Sequence, residues 1–285
     1  MKRNVVVVSI AALMFGLILL GYATETINQV LSEDEVAIHF SVEGSGEPAL
    51  VFVHCWCCDR SYWKHQLAYF AERHRVVAID LAGHGESGME RSEWTVQAFA
   101  KDVVAVVKKL DLDRVILIGH SMGGPVNLEA ARRMPERIIG LVGVDTYQDF
   151  ERHLPEAQRE QFLAAFKTDF EATTKGFVRM MFPADADSAL VEEIANDMSS
   201  APPEVGIGAI ESVLSYKQVE ALDEITIPIR CINSDRFPTN EETGKRHAES
   251  YEVKYMSGRG HFLMLEDPEV FNTLLTETIA ELVGD

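Results

Sequence analysis

From residue 35 onward the sequence alternates short apolar, β-branched runs with helix-length amphipathic stretches, and this alternation constrains the fold more than any other feature. Strands buried on both faces read as continuous apolar runs, and a helical crossover between parallel strands needs a dozen or more residues. Runs at Val36 to Val42, Ala49 to Val53, Arg75 to Asp80, Arg114 to Ile118, Ile138 to Val144, Ile229 to Asn233 and Glu252 to Met256 fit the strands. Between Thr95 and Leu110, Val96, Phe99, Val103, Val106, Val107 and Leu110 keep helical spacing, and Pro268 suits the start of a final helix reaching Val283. The pattern predicts an α/β chain with a mostly parallel sheet covered by helices on both faces. The turn Gly44-Ser45-Gly46 suggests a hairpin between the first two runs.

The alternation stops over residues 146–222, where helical segments are separated by Pro155, Pro183 and Pro202-Pro203. These residues are expected to form an inserted helical cap, leaving residues 24–145 and 223–285 as the core. Residues 1–23 are different again. Lys2 and Arg3 precede an uncharged run from Asn4 to Thr24, with Gly21 and Ala23 at its end. A basic start, an apolar stretch and small residues at a cleavage position are export chemistry, either a signal peptide or a retained anchor attaching residues 4–24 to a membrane. The catalytic body is therefore expected outside the cytoplasm: periplasmic, secreted or membrane-anchored.

A formal charge of −19 lacks the clustered Lys and Arg that phosphate binding requires, so nucleic acid is excluded as an expected partner. Oligomeric state is not readable. Of four cysteines, Cys55, Cys57 and Cys58 cluster while Cys231 stands alone, and no second Cys or His pair completes a metal set at ligand spacing along the chain. No metal and no cofactor is expected.

Chemistry concentrates at Ile118-Gly119-His120-Ser121-Met122-Gly123-Gly124, which follows a strand and precedes a helix near Pro125. The pattern G-x-S-x-G marks a sharp strand-to-helix turn that lifts the serine hydroxyl above the sheet. Crowding at such a turn requires small residues two before and two after Ser121, which Gly119 and Gly123 supply. The turn also aims the Met122 N–H and the helix N-terminus at a developing oxyanion.

With these residues the chain resembles the α/β-hydrolase superfamily from about residue 35 to 283. Val51-Phe52-Val53-His54-Cys55-Trp56 resembles the family's His-Gly-x loop, and the resemblance makes the Trp56 backbone the second oxyanion donor. Cys55 stands where the family usually has glycine; it reads as a packed thiol or a second nucleophile. Asp80-Leu81-Ala82-Gly83-His84-Gly85-Glu86-Ser87 is similar to a family scaffold turn. Gly258-Arg259-Gly260-His261-Phe262 resembles the histidine loop, so among nine histidines His261 is the expected general base.

The acid has two candidates. The family usually carries it after the strand Ile229 to Asn233, where Ser234-Asp235-Arg236-Phe237-Pro238 puts Phe237 at the expected position and Asp235 two residues earlier. Some members carry it instead at the end of the sixth strand, which matches Asp145. Asp145 is preferred and Asp235 kept as the alternative. In the cap, Met180, Met181 and Phe182 beside Phe177 either line a substrate pocket or simply pack.

These parts imply a serine hydrolase that cleaves an ester-like bond of a small, apolar or neutral molecule through an acyl-enzyme. Thioester, lactone or carbon–carbon hydrolysis on the same residues, or ligand binding without catalysis, are the alternatives.

Overall fold

The computed structural model describes residues 28–284. The segment expected to direct export, residues 1–23, lies outside them. Among the described residues no helix is long and apolar enough to cross a membrane.

Eight strands follow one another along the chain: β1 (Asn28–Leu31), β2 (Ala37–Glu43), β3 (Ala49–Val53), β4 (Val76–Ile79), β5 (Val115–His120), β6 (Ile138–Val144), β7 (Ile229–Ser234) and β8 (Tyr251–Met256). They form one sheet in the order β1-β2-β4-β3-β5-β6-β7-β8. β1 and β2, and β2 and β4, pair antiparallel, while every pair from β4 to β8 is parallel. Every residue of β3, β4 and β5 is buried, as their unbroken apolar composition requires when helices cover both faces.

The expected hairpin does not form. β2 pairs with β4, and β3 lies one place further in, between β4 and β5. The glycine turn serves a crossing instead. Gly44 and Gly46 take φ of +65° and +122°, and a Cβ on either would lie 2.3 Å from the Ala71 carbonyl oxygen or 2.5 Å from that of Arg73. Their missing side chains let the chain run against the end of the helix Lys64–Phe70 and carry β3 into the interior, where the Gly46 carbonyl accepts the Arg75 N–H. β1, short and polar at Asn28 and Gln29, is an edge strand with too little apolar alternation to be read from sequence.

The helix Val96–Lys109 starts at Thr95, whose hydroxyl accepts the Ala98 N–H, and it buries Val96, Phe99, Val103, Val106 and Val107. Each such side chain contributes roughly 1.5–3 kcal/mol of burial. The last helix, Pro268–Val283, is capped by Asp267 and ended by Gly284 in the left-handed region. Between β6 and β7 the chain forms the helices Glu156–Thr168, Phe170–Met180, Ser188–Ser199, Pro203–Ser215 and Gln218–Leu222. The prolines sit where they punctuate: Pro155 caps the first, Pro183 separates the second from the third, and Pro202-Pro203 opens the fourth.

Candidate active site

The C-terminal ends of the parallel strands place the chemistry. β5 ends at His120, the helix Gly123–Arg133 begins three residues later, and Ser121 occupies the bend with φ of +51°. A non-glycine residue there is strained and persists only when its surroundings hold it. The Ser121 N–H donates to the Val144 carbonyl at 3.0 Å and the Ser121 carbonyl accepts the Gly124 N–H at 2.9 Å. A Cβ on Gly119 would stand 2.4 Å from the Gly123 carbonyl carbon and oxygen, and one on Gly123 2.4 Å from the Val53 carbonyl oxygen. Both positions therefore need glycine.

Asp145 repeats this device at the end of β6, with φ of +44° and its N–H on the Ile232 carbonyl at 3.0 Å. Its carboxylate is buried and engages both oxygens. Oδ1 accepts the Ser234 N–H at 2.9 Å, and Oδ2 meets His261 Nδ1 at 2.5 Å. That contact fixes Nδ1 as the protonated nitrogen and turns Nε2 toward the cavity. The other candidate acid, Asp235, is exposed and accepts the Gly258 N–H at 3.2 Å; it braces the histidine loop from outside and makes no contact with the imidazole.

The loop carrying His261 is pinned from three sides. The His261 N–H donates to the Met181 carbonyl at 3.1 Å, and the His261 carbonyl accepts His120 Nε2–H at 2.8 Å. Glu266 accepts the Gly260 and Phe262 N–H groups at 2.7 and 3.0 Å, one on each oxygen. Glu266 and His120 carry no signal of this role in the sequence, because both act across turns whose geometry the residue types alone do not specify.

Ser121, Asp145 and His261 open onto one cavity of about 1090 Å³. Among the described residues no hydrogen bond joins the Ser121 hydroxyl to His261. The Cys55 thiol lines the same cavity, its S–H directed at the Trp56 carbonyl at 3.6 Å. Burial works against the charged form of His261, but the Asp145 carboxylate at Nδ1 and the Cys55 thiol outweigh it and raise its pKa. Burial likewise opposes a Cys55 thiolate, yet Cys58, His261 and Ser121 together draw that thiol down. Cys55 itself is fully accommodated at the usual glycine position; the left-handed residue of this loop is Cys57, at φ of +55°. All four cysteines are free and buried.

Trp56 and Met122 flank the same cavity. Among the described residues neither amide N–H is taken by a backbone carbonyl or a side chain, so both remain available as donors. The Trp56 indole is committed elsewhere, donating to the Gly206 carbonyl at 2.7 Å and packing edge-on against Phe166, Phe170 and Phe177. Of the cap residues singled out, Met180 and Met181 line the cavity, Met180 with 65% of its surface exposed. Phe182 does not line it: the ring is buried and stacks on Phe262 at 5.2 Å and 14°, next to the histidine loop, which takes it out of the cavity wall. Phe177, Phe162, Ile210 and Leu214 from the cap line the cavity beside the polar Arg152, Gln158 and Gln161, and Phe237 joins them with its ring facing the His261 edge at 6.5 Å.

Residues 50–274 match the model of the Alpha/beta hydrolase family. The chain is 24% identical to karrikin insensitive 2 receptor IA of Petunia hybrida over 85% of its own length and 94% of that protein's. It is 23% identical to strigolactone esterase RMS3 of Pisum sativum over 81% and 92%. Among solved structures, a thermophilic esterase from Thermogutta terrifontis superimposes with a TM-score of 0.77 at 24% identity, covering 90% of this chain and 98% of that one. The strand order, the left-handed serine between β5 and its helix and the family match over most of the length agree: the chain belongs to the alpha/beta hydrolase family.

Proposed function

We propose that this protein is a serine hydrolase that cleaves ester-like bonds of small, largely apolar molecules through an acyl-enzyme on Ser121. The observation that carries the reading is the 2.5 Å contact from Asp145 to His261 Nδ1, beside a hydroxyl held on a strained bend in the same cavity. Ser121 Oγ attacks the substrate carbonyl carbon while His261 Nε2 takes the hydroxyl proton. Asp145 stabilises the imidazolium so formed, in keeping with the raised His261 pKa. The Trp56 and Met122 N–H groups receive the oxyanion, collapse expels the alcohol with the proton from His261, and water releases the acid by the same steps in reverse roles. No step calls on a cofactor. The apolar cap wall favours an acyl or alcohol group without charge. The two curated relatives, one described as a receptor and one as an esterase, fit both a catalytic and a ligand-sensing use of such a cavity.

The test is covalent labelling with a fluorophosphonate followed by a panel of p-nitrophenyl esters, thioesters and lactones. The expected result is one label on Ser121, ester turnover, and loss of both in Ser121→Ala, with kcat down by about 10³-fold or more. A folded protein that neither labels nor turns over any member of the panel would leave ligand binding as the function. Preference for lactones or thioesters would keep Ser121 and His261 in place and change only the substrate.

A further inference from the structure

Cys55 and His261 line the cavity, and with the fully buried His120 they gather more donor chemistry than acyl transfer requires. Cys55 Sγ and one ring nitrogen each from His120 and His261 lie within 4.8 Å of one another, and all three side chains are buried. His120 is fully buried, and burial, then repulsion from His261, keeps its ring neutral. With Nε2–H donated to the His261 carbonyl, Nδ1 carries the bare lone pair, and that nitrogen has no hydrogen-bond partner among the described residues. Neutral His261 presents its lone pair at Nε2, since Asp145 occupies Nδ1. A carboxylate behind an imidazole is also the arrangement that orients metal-binding histidines and raises their basicity.

We propose that Cys55, His120 and His261 form a binding site for a soft divalent ion, Zn²⁺ or Cd²⁺, and that its occupation switches the hydrolase off. One thiolate and two imidazoles are the donor set such ions select, and no carboxylate oxygen is free here for Mg²⁺ or Ca²⁺, because both Asp145 oxygens are engaged. Bond lengths of about 2.3 Å to sulfur and about 2.0–2.1 Å to nitrogen require the three donors to draw in by roughly an ångström. Cys55 and His261 line the cavity together with Ser121, and the cavity supplies the entry path. Bound metal occupies His261 Nε2, so the imidazole can no longer take a proton. The inhibitory effect rests on His261 being the general base; binding itself does not.

The experiment uses the purified full chain freed of metal by a chelator. Cd²⁺ is titrated while the ultraviolet cadmium–thiolate charge-transfer band and the heat of binding are followed, and ester hydrolysis is measured with Zn²⁺ and again after EDTA. The expected result is one ion per chain, a band that is absent in Cys55→Ala and in the more conservative Cys55→Ser, affinity weakened by about tenfold or more in His120→Gln, and inhibition that EDTA reverses. Each variant is compared with its own metal-free activity. Absence of a band and of binding heat in the unaltered protein, or an unchanged band in both Cys55 variants, overturns the site. A Cys55-dependent band in a protein that hydrolyses no ester keeps the site and discards the hydrolase reading; active hydrolysis untouched by Zn²⁺, with no band, does the opposite.

Discussion

At Asp145 a single carboxylate does two things at once, receiving the Ser234 amide on one oxygen and His261 on the other. Exchange for Asn keeps the shape but offers an N–H where the imidazole already presents one, so the ring loses the tautomer that leaves Nε2 free. Asp145→Asn is expected to lower kcat by about 10² or more, while Asp235→Asn, on the outside of the loop, changes it little. Steady-state kinetics on one ester decides, and the reverse ranking would move the role to Asp235. Cys55 has a second consequence. His261 accepts a proton only when neutral, so activity falls as pH drops through its pKa, which Asp145 and the Cys55 thiol both raise. Removing the thiol in Cys55→Ala lowers that pKa, and the acid limb of kcat/KM should move to lower pH; a limb that stays put would show the thiol electrostatically idle. Ser121 and His261 were readable because each sits in a compact local motif. For the acid the sequence supported only a preference for Asp145 over Asp235, since the contact with His261 spans 116 residues of chain, and the gathering of Cys55, His120 and His261 was hidden for the same reason.

The elements whose ends carry local chemistry were legible: Thr95 before one helix, Asp267-Pro268 before another, prolines between the cap helices. What failed was partnership. A glycine-rich turn between two strand-like runs has the composition of a hairpin, but whether it closes one depends on which strand the sheet places next, and that is settled by helix crossovers far along the chain. The loop after β3 shows the same dependence. It gains its anchor only when Trp56 reaches Gly206 in the helix Pro203–Ser215. Trp56→Phe keeps most of the ring packing against Phe166, Phe170 and Phe177 but leaves the buried Gly206 carbonyl without its donor, for an expected loss of about 1–3 kcal/mol. Urea unfolding measures this, and an unchanged midpoint would mean the tie contributes nothing to stability.

Across the whole molecule, the buried histidines kept neutral, His54 and His84 together with His120, weaken the fold in acid, against the opposite contribution of His261. His54 donates from Nδ1 to the Cys55 carbonyl at 2.7 Å and accepts the Leu81 N–H on Nε2 at 3.1 Å, a pairing only the neutral ring can make. Burial pushes its pKa down to about 4, and burial with His54 alongside pushes that of His84 to about 3. The unfolded chain takes up protons near the ordinary value of 6.5 while the folded protein does not, so stability is complete above that pH and declines as pH falls from 6.5 toward 4 and 3. Melting temperature should drop between pH 6.5 and 5, above the range where most carboxylates titrate, and His84→Gln should flatten the slope; a parallel slope in the variant counts against this origin. The bond from residue 56 to residue 206 also makes the roof and the amide beneath it a single mechanical unit. A guest bulky enough to shoulder the cap aside would drag that amide off target as it entered. Oversized esters should therefore be admitted and then stall, so that selectivity is expressed in turnover, and hardly at all at the doorway.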